Sequence, residues 1–150
     1  MTKRLFSFFA MLTVASLLLA ACGGAGGGTA AEGEVVVGPG DPIRIASALV
    51  ISGANADLGV DSQHGVEIAI EFRGDVLGHP VELQAEDDGC SSEGGQAAGQ
   101  KIVSDPSIVA VIGTSCSGAG VPMAQVISDA GYVMVSPSNT APSLTDPEQA

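Results

Sequence analysis

The sequence is short of cations and nearly without aromatics. Five Lys and Arg face 17 Asp and Glu, for a formal net charge of −12, with no Trp and one Tyr. Nucleic-acid binding relies on clustered cations, so this charge balance argues against it. With so few rings, the core has to be built from aliphatic side chains. Frequent Val, Ile and Leu after position 42 exclude intrinsic disorder. Cysteine is scarce too, at three residues, and the spacing of Cys90 and Cys116 excludes a C-x-x-C redox or zinc motif.

The N-terminus is organised differently from the rest. Lys3 and Arg4 precede an apolar stretch from Leu5 to Ala21, broken only by Ser7, Thr13 and Ser16, and then comes Cys22. A basic head, an apolar middle and small residues before a cut make an export signal over residues 1–21. The stretch sits at the lower limit for a membrane span, about 17 residues, and Gly-Gly-Ala-Gly-Gly-Gly follows it without a basic stop-transfer cluster. Leu19-Ala20-Ala21-Cys22 resembles the lipobox of bacterial lipoproteins, which implies acylation of Cys22 and anchoring in the cell envelope. Loss of the leader leaves Arg44, Arg73 and Lys101 against all 17 acids, a net charge of −14, so anionic lipid cannot be held by a basic surface and the acyl chains must serve. Residues 22–42, rich in Gly, Ala and Thr and ending in Gly38-Pro39-Gly40-Asp41-Pro42, read as a flexible tether. In an exported protein, Cys90 and Cys116 form either one structural disulfide or two buried thiols.

From residue 43 the pattern is α/β, with strands and helices in turn. Ile43–Ile51 reads as a strand buried on both faces. Asp57 to Arg73 reads as a helix with Val66, Ala69 and Ile70, and with Ile68 and Phe72 at i, i+4, closed by Gly74. Pro80–Ala85 alternates like an edge or near-edge strand. Ser91 or Ser92 caps a helix through Ile102 that three glycines weaken and Asp105-Pro106 ends. Ile108–Gly113 is a buried strand, a helix begins at about Val121 with Pro122 in its first turn, and Tyr132–Val135 is a fourth strand. Such alternation predicts right-handed βαβ units on a parallel sheet with flanking helices, here an incomplete lobe over 43–150.

Ligands of parallel sheets bind at the carboxyl ends of the strands, which singles out Ser52–Leu58, Thr114–Gly120 and Ser136–Thr140. All three carry hydroxyls and glycines suited to a small anion, although turns have the same composition. Gly113-Thr114-Ser115-Cys116-Ser117 stands where a nucleophile elbow would, but Ser117 replaces the glycine its sharp turn needs. His64 reads as a helix-surface residue and His79 as a turn residue, so no enzyme is expected. Glu86-Asp87-Asp88 reads as a solvated acidic strand end without metal-ligand partners. No metal or other cofactor is expected.

Ser52-Gly53, Glu86-Asp87-Asp88-Gly89-Cys90, Val111-Ile112-Gly113 with Cys116-Ser117, and Ser136 through Thr145 together resemble the branched-chain amino-acid type of periplasmic solute-binding protein, over residues 43–146. The resemblance implies a two-lobe α/β protein of the type I fold that clamps a small solute and delivers it to an ABC-transporter permease. It implies that the Ser117 hydroxyl and N–H, with the Thr140 N–H, hold the substrate carboxylate. The Ser138 carbonyl and Thr140 hydroxyl would receive its ammonium, helped by an acid of the other lobe. It also implies a Cys90–Cys116 disulfide. Leu58 stands where well-known members line the pocket with an aromatic ring, so an aliphatic wall is expected. Phe72-Arg73-Gly74-Asp75 shortens the family's Asn-x-x-Gly-Gly turn. Asn139 could donate to or accept from an amide or urea-like solute, the alternative to an amino acid. A sensor ectodomain of the same fold is the alternative role.

Overall fold

A computed structural model describes residues 34–146 and 148; the leader, Cys22 and the tether up to residue 33 lie outside the described residues. Strand β1 (Ile43–Leu49) leads through a short 3-10 turn, Gly53–Asn55, into α1 (Ala56–Arg73). Then come β2 (Val81–Asp87), α2 (Ser92–Val103), β3 (Ile108–Gly113), α3 (Ser117–Asp129), β4 (Met134–Val135) and a second 3-10 turn at Pro142–Leu144. The four strands form one sheet in the order β2-β1-β3-β4, all parallel, with β2 at an edge as its alternation predicted. Among the described residues no helix is long and apolar enough to cross a membrane.

Strand alternation distributes β1 between two layers. Ala46 and Ala48, fully buried, join Ala98 and Ile102 of α2, Ile108 and Val111 of β3, and Met123 and Ile127 of α3 in one aliphatic core. Ser47 points the other way and donates to Gln63 Oε1 of α1 at 2.6 Å, satisfying two polar groups that burial would otherwise penalise. The Gly59 backbone comes so near Val50 that a Cβ there would lie 1.9 Å from the Val50 carbonyl oxygen. Through this narrow contact α1 is held: Gly59 and Gln63 are its buried residues. The stripe with Ile68 and Phe72 faces solvent instead, Phe72 being 88% exposed, so helical spacing pointed to an apolar face that does not enter the core.

Helix α2 forms despite its glycines because tertiary contact needs them. Ser91 caps it, its Oγ accepting the Gly94 N–H at 3.0 Å. A Cβ on Gly95 would stand 2.2 Å from the Ala119 carbonyl oxygen, and one on Gly99 would press on Met123 and Val126. The glycines let α3 lie close against α2. Helix α3 starts at Ser117, four residues before the expected Val121. Gly118 and Gly120 look like turn residues, but Ala119 and Gly120 are buried and the Ala119 and Gly120 N–H groups both bond to the Cys116 carbonyl. Pro122 therefore falls inside the helix, where it has no N–H to give the Gly118 carbonyl one turn before it.

Away from the ligand end, Arg44 gathers Asp105, Ser107 and Gln84, joining β1 to β2 and to the α2–β3 connection. The Ser107 hydroxyl and amide, with Arg44 behind them, hold the Asp105 carboxyl below its ordinary range. At the far side of the sheet Val133 and Val135 are each 63% exposed, so β4 presents an open edge.

Candidate functional site

The chain passes from β1 to β2 on one side and returns to β3 on the other, so the loops after β1 and β3 diverge at the carboxyl end of the sheet. Such a switch point leaves a crevice between strand ends. The loops after β1 and β3, and the neighbouring loop after β4, are the three singled out from composition.

Ser117 is the first residue of α3, at the end of the loop after β3. Its Oγ accepts the Thr140 N–H at 2.9 Å and the Ala141 N–H at 3.2 Å. A serine hydroxyl has two lone pairs and one hydrogen. With both lone pairs engaged, the hydrogen is left to donate outward. Among the described residues none accepts from the Ser117 or Gly118 N–H, and α3 has no side-chain cap. A Cβ on Gly118 would meet nothing within 4 Å, so the approach is open. One hydroxyl, two amides and the positive end of a helix thus converge without any cationic side chain, an arrangement suited to one carboxylate. The cations Arg44 and Lys101 are paired elsewhere, with Asp105 and Glu86.

The loop after β4 is fastened to the loop after β3 by its side chains. Ser136 Oγ donates to the Thr114 carbonyl at 2.8 Å while accepting the Asn139 N–H at 2.8 Å. Ser138 Oγ donates to the Ser115 carbonyl at 2.7 Å. The half-buried Asn139 carboxamide reaches the buried Thr114 Oγ1, with Nδ2 at 3.0 Å. The Thr140 amide, expected to meet the ligand directly, is spent on Ser117, whereas the Thr140 side chain is in an exposed position. Thr114 and Ser136 emerge as supporting residues that composition did not distinguish from ordinary turn hydroxyls.

Leu58, in the first turn of α1 beyond the loop after β1, is 48% exposed. Asp87 binds the loop after β1, accepting from the Ser52 hydroxyl, from the Ile51 N–H at 3.2 Å and from the Gly89 N–H at 2.9 Å. The Ser52 hydroxyl foremost lowers its pKa. Asp88 overturns the expectation of a solvated acidic end, because it is fully buried. Burial pushes its carboxyl up, against the Cys90 and Ser115 amides. Beside it Cys90 and Cys116 are joined, with their Cα atoms 5.2 Å apart.

The remaining chemical candidates are not brought to the crevice. His64 is exposed on α1, and His79 lies in the turn before β2, its Nδ1 2.8 Å from the Asp41 carbonyl. Among the described residues no group of three or more His, Cys, Asp or Glu could hold a metal ion.

Known proteins share this arrangement. The family model for periplasmic binding protein matches residues 42–149. A leucine-, isoleucine-, valine-, threonine- and alanine-binding protein of Pseudomonas aeruginosa is 34% identical over 70% of this chain and 29% of its own. An Escherichia coli Leu/Ile/Val-binding protein is 32% identical over the same shares. A branched-chain amino acid transporter substrate-binding protein of Streptococcus pneumoniae, solved with isoleucine, superposes with a TM-score of 0.66 at 26% identity, covering 70% of this chain and 31% of that one. A substrate-binding protein of Desulfitobacterium hafniense solved with Leu gives 0.62 at 33%, over 71% and 32%. The chain spans about a third of the length of these relatives. Together with the parallel sheet and its hydroxyl-lined crevice, these matches show that the chain belongs to the periplasmic binding protein family, whose members are exported solute-binding proteins.

Proposed function

We propose that the protein is the solute-binding component of an ABC importer, and that residues 43–150 supply part of the first lobe that closes on a small zwitterionic amino acid before delivery to the permease. The observation that carries this reading is the Ser117 hydroxyl, whose lone pairs are taken by Thr140 and Ala141 and whose hydrogen is free to donate. A carboxylate seated there meets donors only. Phosphate and dicarboxylates usually recruit Arg or Lys, and the three crevice loops contain neither. The Ser138 carbonyl and the Thr140 hydroxyl are the acceptors assigned to the ammonium, and Leu58 favours a small or aliphatic side chain. Relatives solved with isoleucine and with Leu agree with that preference.

Residues 1–21 serve as the leader, acylated Cys22 as the anchor, and residues 23–42 as the tether. Calorimetric titration of the full-length exported protein with leucine, valine, alanine, glutamate and urea tests the reading. Leucine, valine or alanine should bind in preference to glutamate and urea. Preference for urea would defeat the zwitterion assignment, and binding of none of them would defeat the solute reading.

A further inference from the structure

Among the described residues the three most exposed large apolar side chains are Leu77 at 94%, Phe72 at 88% and Val36 at 64%. All three lie at the amino end of the sheet, opposite the crevice. Helix α1 leaves the carboxyl end of β1 and runs back, so its last turn, with Phe72, reaches the amino end, and Leu77 follows in the turn before β2. Residues 34–42 cross the same strand ends. Glu34 and Val35 line a cavity with Pro106, Val109 and Val133, where β3 and β4 begin, and the Asp41 carbonyl is 2.8 Å from His79 Nδ1, just ahead of β2. Val36 sits on this crossing segment.

Leu77 is held out on a braced turn. Val76 and His79 exchange both backbone hydrogen bonds, at 2.9 and 3.0 Å, around two residues in left-handed conformation, Leu77 with φ 55° and Gly78 with φ 86°. Asn or Asp takes such a position at less cost, because a short polar side chain bonds locally and leucine cannot. The leucine therefore strains its backbone while its side chain packs on nothing in the lobe. An apolar side chain so displayed, with two more at the same end, is suited to a contact outside the lobe.

The chain itself brings one partner close. Residues 23–33 separate Cys22 from Glu34, which spans about 40 Å at full extension, so an acyl anchor at Cys22 keeps a bilayer within reach of this end. Beside the apolar tips stand Asp41, Glu71, Arg73 and Asp75, a mostly acidic set that an anionic lipid surface would repel and a zwitterionic one would not. We propose that the amino end of the sheet rests on the bilayer, with Leu77, Phe72 and Val36 entering the interface of zwitterionic lipid. This rests on the reading of Cys22 as the acylated anchor. The tether by itself permits many orientations, and the apolar tips select one. Helix α1, 18 residues and about 27 Å long, then holds the crevice off the membrane, facing away from the lipid and open to solute.

The test places the full-length acylated protein in phosphatidylcholine vesicles whose acyl chains carry bromine, with a tryptophan introduced at Leu77, at Val36 or, as control, at Glu93, an exposed residue in the first turn of α2 at the carboxyl end. Over the wild-type signal, the fluorescence added by Leu77→Trp or Val36→Trp should be quenched by the brominated chains, and that added by Glu93→Trp should not. Combining Val36→Trp with Leu77→Asn and Phe72→Ser should abolish its quenching. Asn suits the turn, so Leu77→Asn should melt no lower than wild type. Equal quenching at 77 and 93, none at 77, or quenching at 36 that survives both substitutions would each overturn the proposal. So would quenching that appears only when phosphatidylglycerol is added, which marks a charge contact, or a dimer in solution lost in Leu77→Asn, which gives the face to a second copy. If wild type takes up no labelled palmitate, the anchor reading has failed, and sedimentation of the mature chain from Gly23 with phosphatidylcholine vesicles decides instead. Binding that falls about tenfold in Leu77→Asn would keep the lipid surface, and absence of binding would remove it.

Discussion

Ser117 and Thr140, 23 residues apart, are joined by a 2.9 Å hydrogen bond from the Thr140 amide to the Ser117 hydroxyl. The bond closes the loop after β4 over the start of α3 and turns the serine into a directed donor. In Ser117→Ala, the Thr140 and Ala141 amides lose their acceptor and the solute loses its donor. Leucine affinity of the full-length protein should fall roughly tenfold to a hundredfold, about 1.5–3 kcal/mol, by calorimetry. An unchanged dissociation constant would place the solute elsewhere.

The Cys90–Cys116 bond spans a sequence separation of 26 and joins the two loops that carry Asp88 and Ser117. Replacing both cysteines by serine should lower unfolding stability by about 2–4 kcal/mol in denaturant titration. Peptide mapping of exported protein without reductant should recover the two cysteines linked.

Asp105 is held below its ordinary carboxyl range by Ser107 and by Arg44. Its folded value lies below its unfolded one, so its contribution is present above about pH 4 and is lost as pH falls through the folded value. Asp105→Asn should therefore show a shallower loss of stability on acidification below about pH 4 than wild type, measured by urea unfolding at each pH.

Two glycine substitutions should move in opposite directions. Gly95→Ala places a methyl 2.2 Å from the Ala119 carbonyl oxygen and should destabilise by about 1–3 kcal/mol as α2 and α3 are forced apart. Gly65→Ala, on α1 with nothing within 4 Å, should stabilise by about 0.5–1 kcal/mol. Thermal melts of the two variants beside wild type check both.

Acylation at Cys22 would be read by growing the producing bacterium with labelled palmitate. Wild type should incorporate label and Cys22→Ser should not; label retained in the variant would refute the anchor.

The strand and helix order, the edge position of β2 and the three carboxyl-end loops were legible because aliphatic runs, helix spacing and glycine turns are local signals. The Ser91 cap was legible for the same reason, since a cap acts within three residues along the chain. The start of α3 was not, because Gly118 and Gly120 are turn formers locally and become helical where Cys116 is tied down and Ala119 is buried. Helical spacing alone could not tell which stripe of α1 meets the sheet, and contact with β1 gave that role to Gly59 and Gln63 in place of Ile68 and Phe72. Asp87 and Asp88 are adjacent acids with the same composition signal, yet one braces the loop after β1 from an exposed position and the other is enclosed. Sequence by itself determined the parallel α/β layout and which loops carry donors, because periodicity and turn chemistry act over a few residues. Only tertiary structure decided where those donors point, since the Ser117 and Asn139 side chains are aimed by partners 23 and 25 residues away, Thr140 and Thr114.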